Sequence, residues 1–325
     1  ESLLTREKFF VARLGNEGRA MRSERVRTME ELASVSGISR PTLSKYFSDP
    51  TSVRKSTRAR IEAALERYDY TPNVYAINQN RHLTRNLGIV VPFLADPFFA
   101  EVARNLELLC DAAGFNPILL SSHGEPDREV ANLESLRGIR PAGVLLAPIG
   151  RRSHREALDA FCRDVRTVLF DCDVDGVGDA MFGTDHSQST GMIVEYLVRT
   201  GEPPALFEMA NAPNPNANKR RAAYEAAMRR LGHEPMLLVA DGTGWAFEEI
   251  AHREAGRMIA QRLLPTDTVL CSNDRLAIGF LAAAYEKGLR VGIGEGHALR
   301  VAGHDDHPFS RFTCPSLTTV SQNYD

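Results

Sequence analysis

Two kinds of hydrophobic pattern divide the chain. From Leu87 onward, short apolar runs of strand character alternate with longer segments whose apolar positions recur at helical spacing. LGIVV precedes the helical run PFFAEVARNLELLCDAAG. PILLSS, GVLLAP and TVLFD follow, separated by helical segments around EVANLESLRG and HREALDAFCRD. The theme repeats with PALFEM, MLLVA, TVLCS and RVAGHDD as strands, and RRAAYEAAMRRLG, AHREAGRMIAQRLL and RLAIGFLAAAYEKG as helices. Such alternation predicts two α/β lobes, each a parallel sheet flanked by helices. Ligands of open parallel sheets sit beyond the carboxyl ends of the strands, so two lobes that face each other form a closable cleft there.

Upstream the pattern is helical only. Thr28, with Glu31 three residues later, forms a capping box that starts a helix carrying Leu32, Ala33 and Val35. Gly37 permits a sharp turn, Ser39 is placed to cap a second helix, and Pro41 falls in its first turn, where a missing N–H costs little. In that second helix Leu43, Tyr46 and Phe47 share the inward side. Arg40, Pro41, Ser44 and Lys45 lie within roughly 140° on the other side, at ~100° per residue. A third helix steps through Thr57, Ile61, Ala64, Leu65 and Tyr68 on one face and carries Arg54, Lys55, Arg58 and Arg60 on the others.

This spacing fits a helix-turn-helix, whose second helix lies in the DNA major groove. Arg40 and Lys45 can donate to guanine edges, and Pro41 can touch a thymine methyl. Thr42, Ser44, Thr57 and Arg58 are placed for phosphates, and Ser39 stands at the entry of the same helix. A plain three-helix bundle with a solvated basic face accounts for the same spacing without DNA.

Charge sharpens the division. Residues 1–85 hold 16 Lys and Arg against 10 Asp and Glu, a balance of +6; residues 86–325 hold 23 against 32, a balance of −9, and the two sum to the chain's −3. A cationic head is drawn to phosphate while an anionic body is kept off nucleic acid. The 325 residues suffice for two or three compact units. The five cysteines (Cys110, Cys162, Cys172, Cys271 and Cys314) form no CxxC pair and point to reduced thiols. No apolar run approaches the ~18 residues of a membrane span. The charged start ESLLTREKFFVARLGNEGRA has no secretory-signal core, so a cytoplasmic location is expected.

The run MEELASVSGISRPTLSKYFSDP, followed by TRARIEAALERYDYTPNVYA, resembles the LacI/GalR family of bacterial transcription regulators. LGIVVPFLADPFFAEVARNLE resembles the opening of that family's effector domain, and the likeness extends to LTTVSQ, over about residues 27–322. A Y-x-P-N joint, a G-x-V-V-P strand, a D-P-F-F loop, a late S-N-D and a G-x-D-D stand in the family's order. The resemblance implies an N-terminal all-α helix-turn-helix head and an α/β, two-lobed, periplasmic-binding-protein-like effector domain. It further implies a homodimeric repressor on double-stranded operator DNA, controlled by a small sugar, polyol or similar polar metabolite.

The chain then divides into an extension at 1–20, the DNA-binding domain at 21–70, a hinge at 71–85 and an effector-binding and dimerisation domain at 86–325. Met21 stands near the place where such proteins begin, and the family continues past LTTVSQ with further helices, so the C-terminal end is expected to be incomplete. The joint adds Asn73 and Gln79 to the DNA-facing candidates. Gln79 takes the place of the family's minor-groove leucine wedge, where it can hydrogen-bond but unstacks bases less readily. Arg54 replaces a hydroxyl cap on the third helix, which weakens that helix start.

Candidate effector contacts come from the strand ends. Asp96, Phe98 and Phe99 follow the first strand, Ser122 and His123 the second, Asp274 the run TVLCS, and Asp305 with Asp306 the last. Sugar or polyol recognition calls for charged groups that grip hydroxyls and aromatic faces against the C–H side. Taken alone, Phe98 and Phe99 read as core at a helix start and Asp274 as a helix cap. The resemblance implies instead that Phe98, Phe99, Arg220 and Asp274 stand at effector-contacting places. Asn214, Asn216, Trp245 and Phe247 match less directly, because NAPNPNANK cannot be aligned residue by residue. The candidate set is Asp96, Phe98, Phe99, His123, Asn216, Arg220, Phe247, Asp274 and Asp305.

Three motifs imitate other chemistry. DCDVDGVGDAMF alternates Asp171, Asp173 and Asp175 before Gly176 like a calcium loop, but its twelfth position is Phe182 and a strand precedes it. His304-Asp305-Asp306-His307 is not a complete metal site, and His304 stands where the family commonly has an aromatic. GIGEG, Gly292 to Gly296, lacks the third spaced glycine and follows a helix. No metal, cofactor or enzyme activity is expected, since no Ser/His/Asp set, carboxylate pair or P-loop has supporting context. A solute-binding protein of a transport system fits the body but not the cationic head, and a sugar-handling α/β enzyme lacks a catalytic constellation.

Overall fold

A computed structural model describes residues 26–70 and 84–322, which fall into two compact units with separate cores.

The head contains α1 (Met29–Ser36), α2 (Arg40–Ser48) and α3 (Lys55–Arg67). Both halves of the expected capping box form: the Glu31 N–H donates to Thr28 Oγ1 at 3.1 Å, and the Thr28 N–H donates to Glu31 Oε2 at 3.3 Å. Gly37 ends α1 in the left-handed region (φ 66°), as a turn between two helices requires. Ser39 departs from expectation. It occupies the N-cap place, but its hydroxyl meets Thr42 Oγ1 at 2.8 Å and caps no backbone N–H. Arg54, as anticipated, provides no side-chain cap for α3. Leu32, Leu43 and Ile61 are fully buried, one from each helix, at roughly 1.5–3 kcal/mol per side chain. The Tyr68 hydroxyl donates to the Val35 carbonyl at 3.0 Å and ties the end of α3 to α1.

The body holds two parallel sheets. The first contains β1 (Asn86–Val91), β2 (Asn116–Ser121), β3 (Gly143–Leu146), β4 (Thr167–Phe170) and β5 (Ala180–Phe182), in the order β2-β1-β3-β4-β5. Its helices are α4 (Pro97–Ala112), α5 (Pro126–Gly138) and α6 (Arg155–Asp164). After α7 (His186–Thr200) comes the second sheet: β6 (Ala205–Met209), β7 (Leu237–Ala240), β8 (Thr268–Cys271) and β9 (Arg300–Ala302), in the order β7-β6-β8-β9. Its other helices are α8 (Asn216–Arg230), α9 (Phe247–Ala260) and α10 (Asp274–Glu286). Every strand pair is parallel.

Two elements escape the sequence pattern. The three residues of β5 are all exposed, so no apolar alternation marks it. Helix α7 opens on HSQSTG and buries His186, Ser189 and Thr190 in its first turns, which hides its apolar stripe until Ile193.

Candidate functional site

In each sheet the strand order reverses beside the first strand, at β1 and at β6, and loops at such a switch point leave a crevice beyond the carboxyl ends. A cavity of about 530 Å³, its open mouth included, lies there between the lobes. Its walls come from strand ends: Asp96, Phe98 and Phe99 after β1, Asp171 after β4, and Asn214, Asn216 and Arg220 after β6. Trp245 and Phe247 after β7, Asn273 after β8 and Asp305 after β9 also line it.

Polar contacts cross the cleft. Asp171 of the first lobe accepts from Asn214 Nδ2 at 2.9 Å and from Asn216 Nδ2 at 2.8 Å, both of the second lobe. Burial pushes its pKa up to about 6. Asp96 accepts from the Phe98 N–H at 3.0 Å, which caps α4, and from Arg275 Nη1 at 3.0 Å across the cleft. Burial raises its pKa as well, with Arg275 opposing.

Arg220 donates to the Ser272 carbonyl at 2.6 Å and to Asp305 Oδ1 at 2.6 Å. Burial alone would raise the pKa of Asp305, but Arg220 and His304 outweigh it and hold the carboxyl down at about 2. Arg220 Nε and Asn216 Oδ1 both belong to cavity-lining residues and are buried without a hydrogen-bond partner. An unmet donor and an unmet acceptor in one cleft suit a ligand rich in hydroxyls, since each hydroxyl can both donate and accept. Trp245 forms the aromatic wall, stacked on Phe93 at 5.2 Å and edge-on to Phe99 at 6.1 Å and Phe247 at 5.8 Å.

The cavity thus gathers Asp96, Phe98, Phe99, Asn216, Arg220, Phe247 and Asp305 from the sequence candidates. It does not gather His123, which is exposed at a turn with φ 55°. Asp274 borders only a smaller cavity alongside. Its carboxylate accepts from the His307 N–H at 2.8 Å, Ser310 Oγ at 2.7 Å and Thr319 Oγ1 at 2.6 Å. The cap of α10 is its neighbour Asn273, which accepts from the Leu276 N–H at 2.8 Å. The sequence pattern around Asp171 imitates a calcium loop and does not mark it as a cleft residue. Its position directly after TVLF was the available signal. Among the described residues, no group of three His, Cys, Asp or Glu side chains is arranged to hold a metal ion.

In the head, Ser39, Arg40, Pro41 and Lys45 are exposed, while Thr42, Ser44, Thr57 and Arg58 are half-buried. Arg40 pairs with Glu30 at 2.7 Å on the open surface, where such a pair is weak and readily exchanged for another anion. Asn73 and Gln79 lie outside the described residues.

Residues 28–73 match the family described as bacterial regulatory proteins, lacI family, and residues 195–325 match the periplasmic binding protein-like domain. The ribose operon repressor of Escherichia coli (strain K12) is 29% identical over 305 residues, covering 92% of this chain and 88% of that protein. The HTH-type transcriptional repressor PurR of Histophilus somni (strain 129Pt) is 27% identical over 302 residues, covering 91% and 87%. The crystal structure of the Lac repressor bound to ONPG in the repressed state shares the fold, with a TM-score of 0.77 at 24% identity over 91% of this chain and 88% of that one.

A helix-turn-helix domain followed by a two-lobed binding body defines a DNA-binding transcription regulator with an effector domain. Residues 28–73 carry the helix-turn-helix domain of the lacI family of bacterial regulatory proteins, and the relatives matched over most of the chain are repressors. Among the described residues, no helix is long and apolar enough to cross a membrane.

Proposed function

We propose that this regulator is a cytoplasmic repressor that binds operator DNA as a homodimer and is controlled by a neutral, polyhydroxylated effector of pentose, hexose or polyol size. Residues 21–70 read the DNA, 71–85 form the hinge, and 86–325 bind the effector and the second copy. In this reading Ser39, Arg40, Pro41, Thr42, Ser44, Lys45, Thr57, Arg58, Asn73 and Gln79 meet DNA, while Asp96, Phe98, Phe99, Asn216, Arg220, Phe247 and Asp305 meet the effector.

The observation that carries the effector class is the unmet donor and acceptor on Arg220 and Asn216 beside an aromatic wall. Charge supports neutrality: Asp96, Asp171 and Asp305 line the cavity, and the two guanidinium groups beside them, Arg275 and Arg220, already serve Asp96 and Asp305. A phosphate or carboxylate entering there meets net repulsion. The name of the ribose operon repressor, a relative across most of the chain, points to the same class. The protein acts by binding, and its effector shifts the lobes and hence the hinge through a coupling of ~1–3 kcal/mol.

The test is a thermal-shift panel of pentoses, hexoses and polyols, with Arg220→Ala as control, joined to a salt-dependent gel shift on genomic fragments. A sugar or polyol that stabilises the native protein but not the variant, and that alters operator retention, is expected. No affinity for any duplex at low ionic strength overturns the DNA half. Stabilisation only by anionic metabolites overturns the effector half.

A further inference from the structure

Three donors converge on one oxygen of Asp305. Oδ1 accepts from Arg220 Nη2 at 2.6 Å and from Gln322 Nε2 at 2.6 Å, and it lies 3.1 Å from His304 Nδ1. On the other side of the ring, His304 Nε2 lies 3.0 Å from Ser189 Oγ on α7. Ser189, His304 and Asp305 therefore stand in the order and at the spacing of a hydrolytic triad. They cannot serve as one. Ser189 and His304 are 8% and 2% exposed, and neither lines the cleft cavity or the one alongside it, so the hydroxyl is closed to a substrate in the cleft. The array is left with orientation as its role.

The proton positions follow from the partners. A carboxylate only accepts, so His304 Nδ1 carries the hydrogen. Burial, and after it the charge of Arg220, push the ring's pKa down against the upward pull of Asp305, so the ring is neutral and Nε2 accepts from the Ser189 hydroxyl. The backbone shows why Asp305 needs such support. Asp305 and Asp306 both have positive φ, 125° and 51°, a region that disfavours any residue with a Cβ. The loop is clamped by Asp305 N–H to the Val320 carbonyl at 3.0 Å and by Asp306 N–H to Thr319 Oγ1 at 3.2 Å. Those bonds fix the main chain, and the imidazole fixes the carboxylate.

We propose that His304 is a positioning residue of the effector site: it donates to Asp305, receives the Ser189 hydroxyl, and thereby aims the carboxylate that holds Arg220 in the cleft. The inference rests on the effector reading above. A hydrocarbon ring at this place would fill the same space but leave Oδ1 with two donors. Rotation of Asp305 removes one of the two acceptors that hold Arg220, a cavity-lining residue whose Nε is unpartnered.

Two measurements on the full chain test it. The first is nitrogen-15 spectroscopy of histidine-labelled protein, with the His304 signals assigned by their loss in His304→Asn. A protonated Nδ1 with a bare Nε2 is expected, and the opposite tautomer, or a charged ring at neutral pH, overturns the proposal. The second is calorimetric titration of D-ribose, or of the panel sugar that binds best, into the native protein, His304→Phe and His304→Asn. The asparagine amide can replace Nδ1–H toward Asp305, whereas phenylalanine cannot.

About tenfold weaker binding is expected for His304→Phe, the worth of one hydrogen bond to a charged group, with His304→Asn recovering most of it. Native affinity in the phenylalanine variant, or equal loss in both, overturns the proposal. Operator retention by each sugar-free variant reports on folding. Should the native protein bind no sugar or polyol, the effector reading fails, and the tautomer still decides whether His304 holds Asp305.

Discussion

Arg275 of the second lobe donates to Asp96 of the first at 3.0 Å, with both side chains less than 15% exposed. The same guanidinium grips Glu248 through two bonds of 2.7 Å and lies 4.9 Å from the Phe247 ring, so its position is fixed before it reaches across the cleft. Replacing it by methionine keeps the bulk and removes the charge. Asp96 is then buried without its cation, a situation that typically costs 3–5 kcal/mol. Arg275→Met is expected to open the cleft, seen as a larger radius of gyration by small-angle scattering, and to lower urea stability by about 3 kcal/mol. The raised pKa of Asp96 gives the deficit a sign: it shrinks at acid pH, where the carboxyl is neutral, and grows as pH rises. An unchanged scattering profile would show that the pair does not hold the lobes.

Asp171 carries a second pH signature. Its folded pKa of about 6 lies above the 3.8 of an ordinary aspartate. Protonation is therefore favoured by the fold. The stability it contributes is fully present below about pH 4 and is lost as pH rises through about 6. The shift corresponds to at most about 3 kcal/mol. Asp171→Asn should flatten the fall in urea stability between pH 4.5 and pH 7 by about 1–3 kcal/mol. A variant that follows the native profile would place the titrating group elsewhere.

Asp274 separates scaffold from contact. Its carboxylate accepts from one backbone N–H and two hydroxyls of the segment 307–319, so Asp274→Ala strands three donors and should cost about 3 kcal/mol in urea. Asp274→Asn keeps the shape and should bind a panel sugar within about threefold of native, because loss of the charge there removes no cleft donor. A tenfold loss in the asparagine variant at unchanged stability would make Asp274 an effector contact after all.

For the head, Arg40 and Arg58 should divide between recognition and positioning. Arg40 is exposed on the outer face of α2, where a base edge can be reached, whereas Arg58 is half-buried on α3. Arg40→Ala is expected to relax preference among operator variants, a base contact being worth about 1–3 kcal/mol of discrimination. Arg58→Ala is expected to weaken all duplexes alike and to reduce the salt slope by about 1. Equal losses on specific and random DNA for both variants would erase the distinction.

Much of this was readable beforehand, for identifiable reasons. Strands β1, β6 and β8 are largely buried, mostly apolar runs, and the first head helix carries an explicit box at Thr28 and Glu31. Helix α7 was not readable because polar residues fill its buried first turns, and β5 was not because it is exposed. In the cleft, the strand-end rule found Asp96 and Asp305 but passed over Asp171, whose role depends on Asn214 and Asn216 arriving from the other lobe. Contacts between lobes leave no periodic trace in a sequence. Ser39 failed for a local reason: a nearby Thr42 hydroxyl competes for the cap.

Trp245 is the chain's single tryptophan, so its fluorescence reports on the cleft without labelling. It stacks on Phe93 and lies over Gly124, where a Cβ would come within 2.7 Å of the indole Nε1. Gly124 also sits at φ 73°, a backbone conformation that alanine adopts only with strain. Gly124→Ala thus meets two penalties, one in the main chain and one against the ring. The expected cost is about 1–2 kcal/mol of stability, above the usual glycine-to-alanine effect because both penalties apply. The indole must also move toward solvent, giving a red-shifted emission and a smaller change on adding a binding sugar. Native emission in the variant would mean that Trp245 does not rest on Gly124, and the aromatic wall of the cleft would need another seat.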